Sequence, residues 1–194
     1  MKYAFIDTET TGLNPGEHVV IEFACILVDE KDGRRYEVGR YATKIKPTGE
    51  EISRAHPKAL EVNGYTPEAW ADAPSIVDVA HKISAHLKDR VLVGHNVPFD
   101  EALLKAHISA HKIDARIGYR KVDTQVLAME HLFPLGLKRA SLDTIREFLG
   151  WSKDGAHTAM KDVEDTKRLF DLTWRMGPWR RLLLRLRLRF GLPV

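Results

Sequence analysis

FIDTETTGL, residues 5–13, sets two carboxylates one residue apart at the end of an apolar run. Residues 2–7 have the composition of a buried strand. Alternate side chains of a strand share a face, so Asp7 and Glu9 project to the same side. Like charges at that spacing repel. A divalent cation with hard oxygen ligands, Mg²⁺ or Mn²⁺, removes the repulsion. A solvated strand end with Glu9 in a turn fits the same two residues, and the stretch by itself leaves both readings open.

Outward from this strand, His18–Asp29 contains VVIEFACILV, a near-continuous apolar run suited to a central strand. Lys31-Asp32-Gly33 supplies a turn, and Tyr36–Ile45 alternates as a third strand. The pattern then predicts helices over Ser53–Val62 and Ser75–Leu87, the second capped by Ser75. Val91–Val93 reads as a short buried strand ending at Gly94-His95-Asn96. Helices are expected over Phe99–His111, Thr124–His131, Ser141–Leu149 and Met160–Arg175. Strands interleaved with helices in this order predict an α/β fold with a mixed central sheet flanked by helices. Sites in such sheets form at strand ends, where Asp7, Glu9 and Asp100 all fall.

With 194 residues, 44% hydrophobic and 29% charged, the chain is long enough for one well-buried core. The expected division is a domain over 1–175 and a basic tail over 176–194. Cys25, the single cysteine, excludes an internal disulfide framework and a Cys-rich zinc site, and is placed in the core. No run approaches the ~20 apolar residues of a membrane span, and Lys2 and Asp7 come too early for a signal peptide. A cytoplasmic location without a membrane partner is the expectation. The net charge of +3 conceals an asymmetry: six arginines and no acid lie in 175–194, leaving −3 for the remainder.

HTAMKDVEDT, residues 157–166, sets His157 five residues before Asp162. A helix starting near Ala159 puts Asp162 on its first or second turn and His157 on the preceding loop, free to swing its imidazole over a metal-bound water. Among nine histidines, His157 alone would carry little weight.

Together, FIDTETTGL, GHNVPFD (94–100) and HTAMKDVED (157–165) resemble the three motifs of the DEDDh 3′–5′ exonucleases. That family has a ribonuclease-H-like fold and includes the proofreading subunit of bacterial replicative polymerase and ribonuclease T. The resemblance spans roughly residues 3–172, with the motifs in the family's order. It implies that Asp7, Glu9, Asp100 and Asp162 hold two Mg²⁺ or Mn²⁺ ions and that His157 is the general base. Asp7 would bridge the ions, Glu9 and Asp162 would complete one site, and Asp100 would act partly through water. Thr11, Gly12, Leu13, Asn63 and Asn96 are the implied substrate-binding residues, with Asn63 in the family's middle segment PKALEVNGYTPEAW (57–70). Phe99 is placed in core packing. Asp165 stands where the family commonly has a small residue; it shares a helix face with Asp162 and is the competing acid.

The implied activity is hydrolysis at single-stranded 3′ ends, with DNA favoured over RNA on the proofreading-like first motif. A polymerase partner or a homodimer is compatible with it. The alternatives are an exoribonuclease trimming RNA 3′ ends and a non-catalytic binding subunit. Beyond the resemblance, WRRLLLRLRLRFGLPV (179–194) alternates as a strand would, yet Leu182, Leu186 and Phe190 also recur at helical spacing opposite Arg181, Arg185 and Arg189. Its apolar side is expected to dock on the body or a partner, and its arginines to be solvated or to follow substrate phosphates.

Overall fold

The computed structural model describes residues 1–194. Three strands, β1 (Lys2–Thr10), β2 (Val20–Lys31) and β3 (Arg34–Lys44), form an antiparallel meander. The β2–β3 turn is Asp32-Gly33, both with positive φ (52° and 73°), the geometry that matches the twist of a tight hairpin. Two short strands, β4 (Val91–Gly94) and β5 (Lys121–Asp123), add in parallel beyond β1. The sheet order is therefore β3-β2-β1-β4-β5, with the motif strand in the middle.

Alternation along β1 explains how the two faces are covered. Ala4 and Ile6 join Phe23, Cys25 and Leu92 in a core closed by α3 (Ile76–Leu87) and α4 (Val97–Ala110). Tyr3 and Phe5 point the other way, onto Val163 and Phe170 of α7 (Ala159–Thr173). Phe5 and Phe170 meet edge to face with centroids 5.2 Å apart. By the same period of two, Asp7 and Glu9 continue the face that looks toward α7, whereas Thr8 looks toward α4.

The helix expected over Ser53–Val62 is two helices, α1 (Gly49–Ser53) and α2 (Pro57–Val62). Thr48 and Glu51 form a capping box that starts α1 early, and Pro57 keeps His56 extended, which ends the run between them. The helix expected from Phe99 begins at Val97, since Pro98 is tolerated in a first turn. β5 was not anticipated: three residues with no fully buried side chain leave no periodic signal.

A third core joins α5 (Thr124–Leu132), α6 (Leu142–Leu149) and α8 (Pro178–Arg189) through Ala128, Leu132, Ile145, Leu149 and Leu184. The C-terminal segment is thus helical. The row facing the body is Leu184 and Leu188, not Leu182, Leu186 and Phe190, which stay exposed. Leucines two apart, wound onto a helix, fall on nearly opposite sides, so α8 carries two apolar stripes and docks by one. No helix is long and apolar enough to cross a membrane.

Candidate active site

β1 delivers Asp7 and Glu9, and the first turn of α7 delivers Asp162 from across the sheet face. One ligand atom from each of the three lies within 4.8 Å of the others. Asp100, from the first turn of α4, stands just behind. Its Oδ1 accepts from the Thr8 N–H at 2.9 Å and from the Thr8 hydroxyl at 2.7 Å, which fixes the carboxylate against β1.

The four acids are electrostatically crowded. Burial, followed by the charges of Asp100, Asp162, Glu9 and Glu22, holds the Asp7 carboxyl well above the usual range. Burial and then Asp162, Glu22 and Asp100 push Glu9 up to about 8. Burial raises Asp100 to about 7 against the hydrogen bonds from Thr8. Carboxylates in this state resist ionisation unless a cation joins them. A set of hard carboxylate oxygens at this separation fits the divalent metal of such a centre.

Asp162 is also paired from behind. Its Oδ1 accepts from Arg146 Nη2 at 2.7 Å and from the His157 backbone N–H at 3.3 Å. Arg146 is fully buried on α6 and spends its other donors on Asp143 Oδ1 (2.9 Å) and Asp165 Oδ2 (2.8 Å). Lys161 Nζ holds the other oxygen of Asp165 at 2.8 Å. Asp165 is therefore enclosed by two cations, whereas Asp162 reaches the other acids.

His157 sits on the loop before α7 in a left-handed conformation, φ 65°. Its imidazole is about half exposed and turned toward Asp143, with Nε2 3.6 Å from Oδ2. The sequence placed His157 correctly on a loop but gave no sign of Asp143 or Arg146. An acid in a helix first turn reads as a capping group, and Asp143–Arg146 reads as an ordinary i,i+3 pair.

Beside the acids runs a groove of about 490 Å³ whose walls include Glu9, Gly12, Leu13, His56, Asn63 and Phe99. Leu13 stands at its rim, 79% exposed, an apolar surface free to meet a base. Asn63 donates Nδ2 to the Thr10 carbonyl at 3.0 Å, tying the end of α2 to the end of β1. Gly12 has a structural reason of its own, because a Cβ there would lie 2.3 Å from the His18 ring.

Two expected substrate contacts are not in this groove. Thr11 is fully buried, and its hydroxyl accepts from the Val19 N–H at 2.9 Å, so its side chain supports the loop from inside. Asn96, at φ 69°, caps α4, and its backbone N–H donates to Asp123 Oδ1 at 3.0 Å. Phe99 packs partly against the α4-side core while also facing the groove.

A five-stranded mixed sheet with acids converging from its central strand and a covering helix has the ribonuclease-H-like architecture. In fold, the chain is similar to Escherichia coli exonuclease I in complex with a dT13 oligonucleotide, with a TM-score of 0.71 and 22% identity. The match covers 94% of this chain and 45% of that one. The RNase_T family model, described as "Exonuclease", matches residues 4–170. The chain is 30% identical over 170 residues to the DNA polymerase III subunit epsilon of Treponema pallidum, covering 87% of this chain and 74% of that protein. It is 33% identical over 169 residues to the PolC-type DNA polymerase III of Thermotoga maritima, but spans only 11% of that protein's length. The chain belongs to the DEDDh 3′–5′ exonuclease family. Membership implies the use of divalent metal.

Proposed function

We propose that the protein hydrolyses the terminal phosphodiester at single-stranded DNA 3′ ends. The observation that carries this reading is the convergence of Asp7, Glu9 and Asp162 within 4.8 Å, with Asp100 behind them, beside the Leu13–Asn63 groove. These four acids would hold two Mg²⁺ or Mn²⁺ ions, which when bound stabilise the attacking and leaving oxygens of an in-line displacement.

The chain's own residues supply the rest. Leu13 covers the terminal base, and Asn63 fixes the far wall of the groove through Thr10. His157 accepts the proton of the attacking water after rotating inward from Asp143, a movement open to a half-exposed side chain on a loop. Arg146 keeps Asp162 in one orientation throughout.

DNA is favoured because the relatives are named as a PolC-type DNA polymerase III and a DNA polymerase III subunit epsilon, and the similar exonuclease I structure holds a dT13 oligonucleotide. The same names favour a polymerase as partner over a second copy of this chain. The test is a time course on a 5′-labelled single-stranded oligonucleotide, run as matched DNA and RNA, with Mg²⁺ or with EDTA. Stepwise shortening of DNA from the 3′ end, faster than RNA and abolished by EDTA, is expected. Absence of metal-dependent shortening, or preference for RNA, would contradict the proposal.

A further inference from the structure

His107 lies near the C-terminal end of α4 and is 2% exposed; its Nδ1 has no hydrogen-bond partner, and its Nε2 faces the Glu51 carboxylate without a well-formed hydrogen bond. An imidazole buried with one nitrogen unpaired and the other poorly aligned is costly, and such a group calls for an explanation. One helical turn on, His111 presents its Nε2 to the same space, and from α1 comes the buried carboxylate of Glu51. Glu51 Oε1 lies 3.3 Å from His107 Nε2 and 3.0 Å from His111 Nε2, and the three ligand atoms all fall within 4.8 Å of one another. Glu51 Oε2 is separately held by the Thr48 N–H at 2.7 Å, which orients the carboxylate and leaves Oε1 for the histidines.

We propose that Glu51, His107 and His111 form a second metal site, distinct from the carboxylate centre, that takes Zn²⁺. Ligands at about 2.05 Å around a tetrahedral zinc lie about 3.3 Å apart along each edge, close to the two separations seen here. Two imidazoles and one carboxylate are a zinc donor set, whereas the hard ions suited to the four-acid centre avoid nitrogen. The i, i+4 spacing of His107 and His111 puts both on one helix face, and Glu51 closes the set from another element. His111 is only partly buried, so the cluster is not sealed from solvent.

The two metal sites are separate. His107 is seven residues beyond Asp100 on α4, about 10 Å along the helix axis. The site would clip α1 to α4 and so brace α2, which carries Asn63 to the groove wall. The proposal does not depend on the nuclease reading.

The full chain would be exposed to Zn²⁺ in excess Mg²⁺, desalted, and its retained zinc counted, with X-ray absorption on the zinc and thermal melting alongside. Wild type should retain a single zinc with two imidazole ligands and melt at a higher temperature than the metal-free chain. The Asp7→Asn variant should retain it equally, while His111→Ala and Glu51→Gln should each lose it. Zinc retained equally by those two variants, or a wild-type spectrum lacking two imidazoles, overturns the proposal. So does a wild type that retains none. The wild-type spectrum decides the matter even if a variant fails to fold.

Discussion

Arg146 Nη2 donates to Asp162 Oδ1 at 2.7 Å, so one of the acids facing the metal centre is anchored by a fully buried guanidinium on a different helix. Three carboxylates share that guanidinium, and the partition among them treats the two α7 acids differently: Asp165 is held by Arg146 and Lys161, whereas Asp162 also reaches Asp7 and Glu9. Asp162→Asn is expected to abolish cleavage. Asp165→Asn should stay within a few-fold of wild-type kcat while lowering Tm. Arg146→Met strands two mostly buried acids and should destabilise by about 3–5 kcal/mol. In an Asp165→Leu background the same change should cost less, which a double-mutant cycle by urea unfolding measures.

The crowded acids also set a pH dependence of the metal-free protein. Glu9 and Asp100 have folded-state values raised to about 8 and about 7, so between the unfolded and folded values the native state holds more protons. Stability from these groups therefore falls as pH rises through that window. His107 works in the opposite sense: lowered to about 4, it makes stability rise with pH up to about 6.5. His86, His95 and His131, also lowered by burial, act in the same sense as His107; above 6.5 the histidine contribution fades and the carboxylates dominate. In EDTA, the urea midpoint should decline from pH 6.5 to 8, and Mg²⁺ should remove most of the decline. A midpoint that rises over this interval in EDTA would show that the acids are not held protonated.

His157→Ala should lower kcat by about 10²–10⁴ with KM and Tm little changed, because the side chain is half exposed on a loop. His81→Ala, at an exposed position on α3, should leave kcat unaltered. Equal losses in both variants would remove His157 from the proton transfer.

Helix α8 has two separable roles. Leu184 is 3% exposed in the third core, so Leu184→Ala should cost about 2–4 kcal/mol. Arg185, Arg187 and Arg189 are exposed, and changing all three to Gln should leave Tm intact. If they follow substrate phosphates, the log–log salt slope for a long single strand should flatten by about 2. An unchanged slope would mean that these arginines are only solvated.

How much was legible in the sequence varied with the range of the interaction. The β1 acids announced themselves because strand period and apolar flanks are local properties, and the order of three motifs placed Asp100 and His157 on the right elements. The short β5 strand carried no periodicity. Thr11 looked like a groove residue by position, but its hydroxyl is turned inward by pairing with Val19, a contact made across the loop. Arg146 and Asp143 were invisible because their meaning depends on α6 lying against α7. The docking face of α8 was misread because a leucine at almost every second position offers a helix more than one apolar stripe, and only tertiary packing selects between them.

The central claim, that Asp7 and its neighbours form a metal-dependent hydrolytic centre, is tested most directly by Asp7→Asn assayed on a 5′-labelled single-stranded DNA in Mg²⁺. The expected result is loss of cleavage by at least about 10³-fold, with circular dichroism unchanged and a Tm in EDTA equal to or above that of wild type, since a neutral amide replaces a carboxyl whose ionisation burial and the neighbouring acids oppose. Cleavage near the wild-type rate by a correctly folded Asp7→Asn protein would contradict it.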